Sequence, residues 1–208
     1  GQAVAAAQFN PQGTPGTSTK MQPTPYDLEG ARKLLAEAGW AKGFGVVVNS
    51  TNDRYPNDGQ VNQAVAQMWT RLGLRATVNT LPKAMYFPRV VKLEFSVLLS
   101  GNSTDTGEPL SQLQYLLGTY DPVKGYGAGN YGRWSDSKFD AIIGQASKTL
   151  DDARRNELLA NAYEYAIGQQ VVVIPMLFPI TTWAMRKGIT YDGFPQEATV
   201  ASLVHMAK

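Results

Sequence analysis

The chain contains no cysteine, and it has one histidine among its 208 residues. The absence of cysteine excludes disulfides and thiolate metal sites. A catalytic nucleophile needs a base within hydrogen-bond reach, and the one imidazole, His205, lies at the very end of the chain. We therefore expect no metal site, no cofactor and no catalytic triad.

Long apolar runs and clusters of like charge are also missing. The nearest apolar stretch, residues 171–180, holds two prolines and falls well short of the ~20 residues of a membrane-spanning helix. Basic residues are scattered between acidic ones and the formal net charge is +2, which gives no reason to expect nucleic acid as a partner. A hydrophobic content of 43% is that of an ordinary globular protein.

Residues 1–24 are rich in Gly, Pro, Thr and Gln and show no periodicity. They predict an extended segment that is partly mobile at its start. From residue 25 to 208 the alternation of apolar periods predicts a single α/β lobe, a mixed and mostly parallel sheet flanked by helices. The helices are expected at 28–38, 58–72, 84–93, 110–117, 137–146 and 152–168, with a short final helix within 196–206. The strands are expected at 44–49, 74–81, 95–100, 171–175 and 180–186.

Short polar side chains follow the predicted strand 95–100. Gly101 ends the apolar run, and Asn102, Ser103 and Asp105 come directly after it. In open α/β sheets, ligands lie beyond the carboxyl ends of strands. Asp105 is therefore a candidate partner for a positively charged group of a small ligand. The alternative is that Asp105 caps a helix near Pro109 or closes a turn.

Aromatic and basic residues supply further candidate ligand contacts. One patch consists of Asn130, Tyr131, Arg133 and Trp134, in which Tyr and Trp offer flat faces with a polar tip and Arg133 a fork for a carboxylate. The alternative is that Trp134 packs into the core and Arg133 is solvated. Trp183 is a candidate on the predicted strand 180–186, where it either lines a cleft or packs in the core. Tyr86 is a further candidate.

The patterns typical of enzymes are present only in part. GAGNYG (127–132) matches G-x-G-x-x-G but has no strand before it and no helix after it, so we interpret its glycines as turn residues. The carboxylate pair Asp151–Asp152 reads as a helix cap. Asp105 and Glu108 are a second pair, and Glu108 precedes a proline, which favours an extended backbone. An unrecognised hydrolase or transferase domain stays open as the alternative to a binding protein.

An ordered set of motifs resembles a known family. The set is PYDLEGARKLLAEAGW (25–40), FSVLLSGNSTDTGEP (95–109), NYGRWSDSKFD (130–140), TLDDARR (149–155) and VVVIPMLFPITTWAMRKGITY (171–191). Together they resemble the carboxyl-terminal part of the dipeptide-, oligopeptide- and nickel-binding class of extracytoplasmic solute-binding proteins of ABC importers, family 5. The fold that this implies is a lobe of the type II periplasmic-binding-protein class.

The resemblance implies a function and a site. In peptide-binding members the acid of the Gly-x-x-x-Asp-x-x-(Asp/Glu)-Pro stretch holds the ligand's free amino group, and Asp105 occupies that position. Many of those members carry Trp directly after the glycine, where this chain has Asn102. The expected function is capture of a small peptide-like or amine-bearing solute by closure of two lobes, followed by delivery to membrane permease subunits.

The resemblance also carries expectations about the length, location and oligomeric state of the protein. Family members are more than twice as long, so we expect this sequence to be an excised piece that lacks an amino-terminal lobe, with Gly1 as the remnant of a tag. The expected location is the periplasm or another extracytoplasmic space, although no signal peptide is present in this stretch. We expect a monomer.

Overall fold

The computed structural model describes residues 1–103, 107–193 and 199–206. The chain forms two compact units, each built from separate stretches of sequence. The helical unit comprises Gly1–Pro23, Ser103–Thr119 and Ser135–Lys208, and the parallel-strand unit comprises Thr24–Asn102 and Tyr120–Trp134. This division differs from the predicted single lobe over 25–208, because the amino-terminal segment packs with later parts of the chain.

Short strands alternate with helices along the described residues. The helices are α1 (Leu28–Glu37), α2 (Asp58–Leu72), α3 (Lys83–Val91), α4 (Leu110–Leu116), α5 (Ser137–Ala146) and α6 (Asp152–Tyr163), and α6 continues as a π-helix (Glu164–Gln169). The strands are β1 (Ala3–Ala5), β2 (Gly45–Thr51), β3 (Arg75–Leu81), β4 (Leu177–Pro179), β5 (Ile189–Tyr191) and β6 (Val204–Met206), and a 3₁₀ turn (Ala201–Leu203) precedes β6.

The parallel-strand unit is built on β2 and β3. They pair in parallel from Gly45 opposite Arg75 to Thr51 opposite Leu81, and α2 makes the crossover that a parallel pair requires. Helix α2 ends at Gly73, whose φ of 108° is the left-handed conformation that glycine adopts without strain. The carboxyl ends of both strands therefore lie at one edge of the unit.

The helical unit has its core between α5 and α6. Both helices begin at an aspartate cap: the Asp136 carboxylate accepts from the backbone N–H groups of Lys138 and Phe139, and Asp151 accepts from that of Arg154. The cap at Asp151 was predicted, and both caps satisfy backbone donors that a helix start leaves unpaired. The fully buried apolar side chains of this core are Leu113, Leu117, Phe139, Ile143, Ala146, Leu159, Ala162, Tyr163 and Ala166.

The amino-terminal segment is packed rather than loose. Strand β1 pairs antiparallel with β4, Asn10 is buried, and its side-chain oxygen accepts from the Tyr163 hydroxyl at 2.6 Å. The Ser18 hydroxyl donates to Glu164 at 2.6 Å. These polar contacts attach the segment to α6 and the π-helix, and its partial mobility stays a prediction.

Three predicted strands do not form over their predicted ranges. Residues 95–100 are part-exposed and make a single parallel bridge, Leu98 with Asn49. Residues 171–175 form no strand and leave Ile174 72% exposed. Residues 180–186 are irregular, and β4 covers Leu177–Pro179 in their place. The predicted final helix is a 3₁₀ turn followed by β6, which pairs with β5, and the predicted part within 194–198 lies outside the described residues.

The α/β fold class is confirmed. Six predicted helices are present with shifts of a few residues, namely those at 28–38, 58–72, 84–93, 110–117, 137–146 and 152–168. The described strands form three separate pairs, one parallel and two antiparallel.

Candidate functional site

The carboxyl ends of three parallel segments meet at one edge of the parallel-strand unit. β2 ends at Thr51, β3 ends at Leu81, and the segment bridged at Leu98 runs on to Gly101. The backbone N–H of Asn52 donates to the Leu81 carbonyl at 3.1 Å, which ties the ends of β2 and β3 together. We call this the carboxyl edge, and it is the place where α/β sheets hold ligands.

A buried carboxylate organises the loop that follows β2. Asp58 accepts from the Thr51 hydroxyl at 2.6 Å, from the Gly59 N–H at 2.8 Å, and from the N–H groups of Arg54 and Tyr55 at 3.2 Å each. Burial by itself raises the pKa of the Asp58 carboxyl, but these hydrogen bonds outweigh it and hold the pKa below the ordinary value of 3.8. Asp58 is therefore an anion that closes the loop onto the end of β2.

Tyr55 projects from that loop onto the neighbouring segment. Its hydroxyl donates to the Gly101 carbonyl at 3.2 Å, and its ring lies against the Gly101 Cα, where an added Cβ would be 2.7 Å from Cε1 of the ring. The Arg54 guanidinium stands 4.8 Å from the ring centroid. Gly101 was predicted only as the end of a strand, and here it provides the space for an aromatic ring.

Tyr86 lies in the core and not at a ligand surface. Its side chain has no exposed area, its hydroxyl donates to the Leu99 carbonyl at 2.7 Å, and its ring stacks on Phe95 with centroids 5.4 Å apart. Burial raises the pKa of Tyr86 far above its ordinary value. Tyr86 was predicted as a ligand contact, and in the structure its side chain is buried and holds the segment 95–99 to the core.

Asn102, Ser103 and Asp105 are the candidate ligand contacts that follow Gly101 in sequence. Asn102 and Ser103 are exposed. Asp105, on which the sequence reasoning depended most, lies outside the described residues. The role of Asp105 therefore stays a prediction.

The predicted patch near residue 130 is a tightly bonded turn in the parallel-strand unit. Asn130 is 3% exposed, and its side-chain amide donates to the Trp134 carbonyl at 2.7 Å and accepts from the Trp134 N–H at 3.2 Å. Arg133, with a positive φ of 53°, donates to the carbonyls of Gly127 and Asn130 at 3.2 and 3.0 Å. Its guanidinium also stacks 4.1 Å from the Tyr120 ring centroid.

Within that patch, Asn130 differs from Arg133 and Tyr131 in its exposure to solvent. The described bonds of Asn130 serve the turn itself, whereas Arg133 is exposed and Tyr131 is half-buried. The Tyr131 hydroxyl is close enough to Tyr86 to influence the pKa of Tyr86. Contact of Tyr131 and Arg133 with a ligand stays a prediction.

Trp183 lies in an irregular stretch of the helical unit. The residue is half-buried, its ring is 5.1 Å from that of Tyr191, and its indole N–H donates to the Thr199 hydroxyl at 3.1 Å. The predicted strand 180–186 does not form around it, and contact of Trp183 with a ligand stays a prediction.

Two open hollows are present on the parallel-strand unit, and neither contains a predicted site residue. The larger, about 460 Å³, lies along α2 and β3, and the smaller, about 200 Å³, lies between α1 and the Trp40 region. Within the described ranges, no group of three or more His, Asp or Glu residues is arranged to hold a metal ion. No described helix has the length and apolar character to cross a membrane.

The family model of the bacterial extracellular solute-binding proteins, family 5 (middle), matches residues 1–123, which is more than half of the chain. The chain belongs to this family. The predicted resemblance is therefore confirmed, and the matched range includes the whole carboxyl edge. It also includes Asp105.

Relatives and solved structures agree with this membership. The chain is 29% identical over 191 residues to di/tripeptide-binding protein 1 of Pseudomonas aeruginosa, covering 88% of this chain and 35% of that protein. It is 29% identical over 189 residues to heme-binding protein A of Haemophilus influenzae, covering 84% and 33%. HbpA2 from Haemophilus parasuis has the same fold, with a TM-score of 0.84, 24% identity, and coverage of 100% of this chain and 41% of that one. The chain thus spans about a third of the length of its curated relatives.

Sequence reasoning missed two residues at the carboxyl edge. Neither Asp58 nor Tyr55 was predicted as a site residue. A signal for Asp58 was available, because Thr51 and Asp58 are both hydrogen-bonding residues at opposite ends of one loop. Nothing in the sequence links Tyr55 to Gly101, which is 46 positions away.

Proposed function

We propose that the chain is part of the substrate-binding component of an ABC importer that captures a small peptide-like or amine-bearing solute. Membership of family 5 carries this proposal. The exposed residues Asn102 and Ser103, which follow the carboxyl edge in sequence, support it. The relatives named for di/tripeptides and for heme mark the two ligand classes to compare.

Asp105 is the proposed partner of the ligand's ammonium group. A carboxylate accepting from an ammonium makes a charge-assisted hydrogen bond, worth about 1.5–3 kcal/mol where water is excluded. Asn102 and Ser103 are the proposed hydrogen-bonding neighbours, and Tyr131, Arg133 and Trp183 are further proposed contacts. A peptide-like solute supplies the ammonium that this arrangement needs.

The proposed mechanism is closure of lobes around the ligand. A second lobe, supplied by the rest of the polypeptide, closes over the ligand, excludes water and strengthens the bond to Asp105. The closed form then delivers the ligand to permease subunits in the membrane. The proposed location is periplasmic or extracytoplasmic, and the proposed state is a monomer.

The proposal requires no enzymatic step. The hydroxyls of Ser18 and Thr51 donate to Glu164 and Asp58, but both residues are buried. The one imidazole, His205, pairs with Asp192 at 3.1 Å at an exposed position. Screening against ester, phosphate and peptide substrates tests this directly. Turnover that disappears on substitution of a described residue would support the hydrolase alternative.

Isothermal titration of the full-length natural polypeptide with a panel of dipeptides and with heme tests the ligand class. We expect micromolar or tighter binding of a dipeptide, and a loss of about 10- to 150-fold in Asp105→Asn, which corresponds to the 1.5–3 kcal/mol above. Asp152→Asn, an exposed carboxylate in α6, is the matched control and should bind as the wild type does. Heme binding without dipeptide binding would overturn the proposed ligand class.

The same titration can be made with the 208-residue chain alone. One lobe covers only part of a ligand that a closed site buries by about 70–90%. We expect no affinity tighter than the millimolar range. Micromolar binding by this chain would contradict the need for a second lobe.

A further inference from the structure

We propose that Tyr55 is a positioning residue, which holds the segment 99–102 in the conformation that the ligand site requires. The inference rests on the proposed function, since it concerns the segment directly before Asp105. Tyr55 itself is not assigned a contact with the ligand. Its effect is exerted through Gly101.

The first step is the fit between the ring and the glycine. An added Cβ at Gly101 would stand 2.7, 3.1 and 3.3 Å from three atoms of the Tyr55 ring. Separations below about 3.0 Å are closer than side-chain atoms tolerate. A larger residue at this position would therefore require the Tyr55 ring to move away from its present place against the backbone.

The second step is the way in which the segment is held. At Leu99 the backbone N–H donates to the Asn49 carbonyl at 2.8 Å, and the carbonyl accepts from the Tyr86 hydroxyl at 2.7 Å. Two residues later, the Gly101 carbonyl accepts from Tyr55 at 3.2 Å. Tyr55 thus extends the anchoring of the segment from the core to the exposed end, immediately before Asn102.

The third step is that Tyr55 is itself held. Its backbone N–H donates to the Asp58 carboxylate at 3.2 Å, and that carboxylate is closed onto Thr51 at the end of β2. The contact therefore connects a buried anion to the segment 99–102. A segment that is ordered in advance loses less conformational entropy when a ligand binds.

The experiment uses the full-length polypeptide and the dipeptides Ala-Ala, Met-Leu and Gly-Lys as probes. We expect Tyr55→Ala to weaken the tightest of these about tenfold, the order expected when a few residues must be ordered on binding. Amide hydrogen exchange over residues 100–103 should rise about tenfold in the same variant without ligand. Tyr26→Ala, an exposed tyrosine of the same unit, is the matched control and should change neither quantity.

A double-mutant cycle separates positioning from general destabilisation. Gly101→Ala forces the ring away and should weaken binding as strongly as Tyr55→Ala does. In the double variant the added methyl has no ring to meet, so the second substitution should cost little more than the first. Additive losses would overturn the inference. If Tyr55→Ala does not fold, Tyr55→Phe removes the hydroxyl alone, and we then expect about a threefold effect on both quantities.

The outcomes distinguish this inference from the proposed function. If no dipeptide binds to the wild type but exchange over 100–103 rises in Tyr55→Ala, the proposed ligand class fails and the positioning role stands. If dipeptides bind and neither affinity nor exchange changes in Tyr55→Ala, the positioning role is refuted while the proposed function is kept.

Discussion

Replacing Asp58 by alanine removes a carboxylate that accepts four hydrogen bonds at the end of β2. Asp58 is 4% exposed and its closest partner, Thr51, is fully buried, so the Thr51 hydroxyl loses its partner away from bulk water. A hydrogen bond to a charged group is worth about 1.5–3 kcal/mol. Water regains the two longer bonds in the exposed loop, and we expect the free energy of unfolding to fall by about 3–5 kcal/mol.

Urea unfolding of the 208-residue chain, followed by circular dichroism, measures this change. For a chain of this size the melting temperature should fall by about 10 °C. The control is Asp152→Ala, which removes an exposed carboxylate from the first turn of α6 and should cost less than about 1 kcal/mol. A loss for Asp58→Ala no larger than that of the control would refute the assignment of Asp58 as the anchor of the loop.

The pH dependence gives a second test of the same residue. Because the pKa of Asp58 is lower in the folded protein than its ordinary value of 3.8, its contribution to stability is present in full above about pH 5 and is lost as the pH falls through the folded-state pKa. The stability difference between wild type and Asp58→Asn should therefore be constant from pH 7 to pH 5 and should shrink below pH 4. A difference independent of pH would show that the charge is not what stabilises the loop.

Four further substitutions follow from the same structure and are measured by thermal unfolding of this chain. Phe139→Ala removes a fully buried ring from the helical core and should cost about 3–5 kcal/mol; a cost below about 1 kcal/mol would contradict its placement. Asn130→Ala frees both backbone groups of Trp134 and should cost about 1–2 kcal/mol, and an unchanged melting temperature would show that the turn is held by other bonds. Gly43→Ala places a Cβ 2.1 Å from a backbone oxygen at a φ of 66° and should cost more than about 2 kcal/mol. Gly144 lies in open space within α5, so Gly144→Ala should stabilise the chain by up to about 1 kcal/mol. Equal effects of these two substitutions would refute the reasoning.

Helix starts and ends were predictable because their signals are local. Asp27, Asp136 and Asp151 each accept from a backbone N–H two or three positions later, so the side chain and the helix that it caps lie in one short window of sequence. Gly73 likewise ends α2 through its own backbone conformation. Six of the predicted helices are therefore present, whereas the expected final helix within 196–206 is a 3₁₀ turn followed by β6.

Strands were predicted less well because a strand needs a partner from elsewhere in the chain. The run 171–175 has the composition of a buried strand, yet Val171 and Ile174 are 64% and 72% exposed. The segment 95–100 meets β2 at a single bridge. Apolar composition alone does not say which backbone will pair.

The location of the candidate site was predictable from the sequence, but only some of its residues were. The carboxyl edge follows from the order of parallel strands. Tyr86 and Asn130 were selected for their chemical type, and the structure buries both of them, because burial depends on contacts that are distant in sequence. Tyr55 was missed for the same reason, since its partner Gly101 belongs to a different segment.

A crystal structure of the full-length polypeptide with a bound dipeptide tests the central claim most directly. We predict that the ligand's ammonium nitrogen lies about 2.7–2.9 Å from a carboxylate oxygen of Asp105. A ligand held elsewhere, with its ammonium paired to another acid or left in water, would contradict the account.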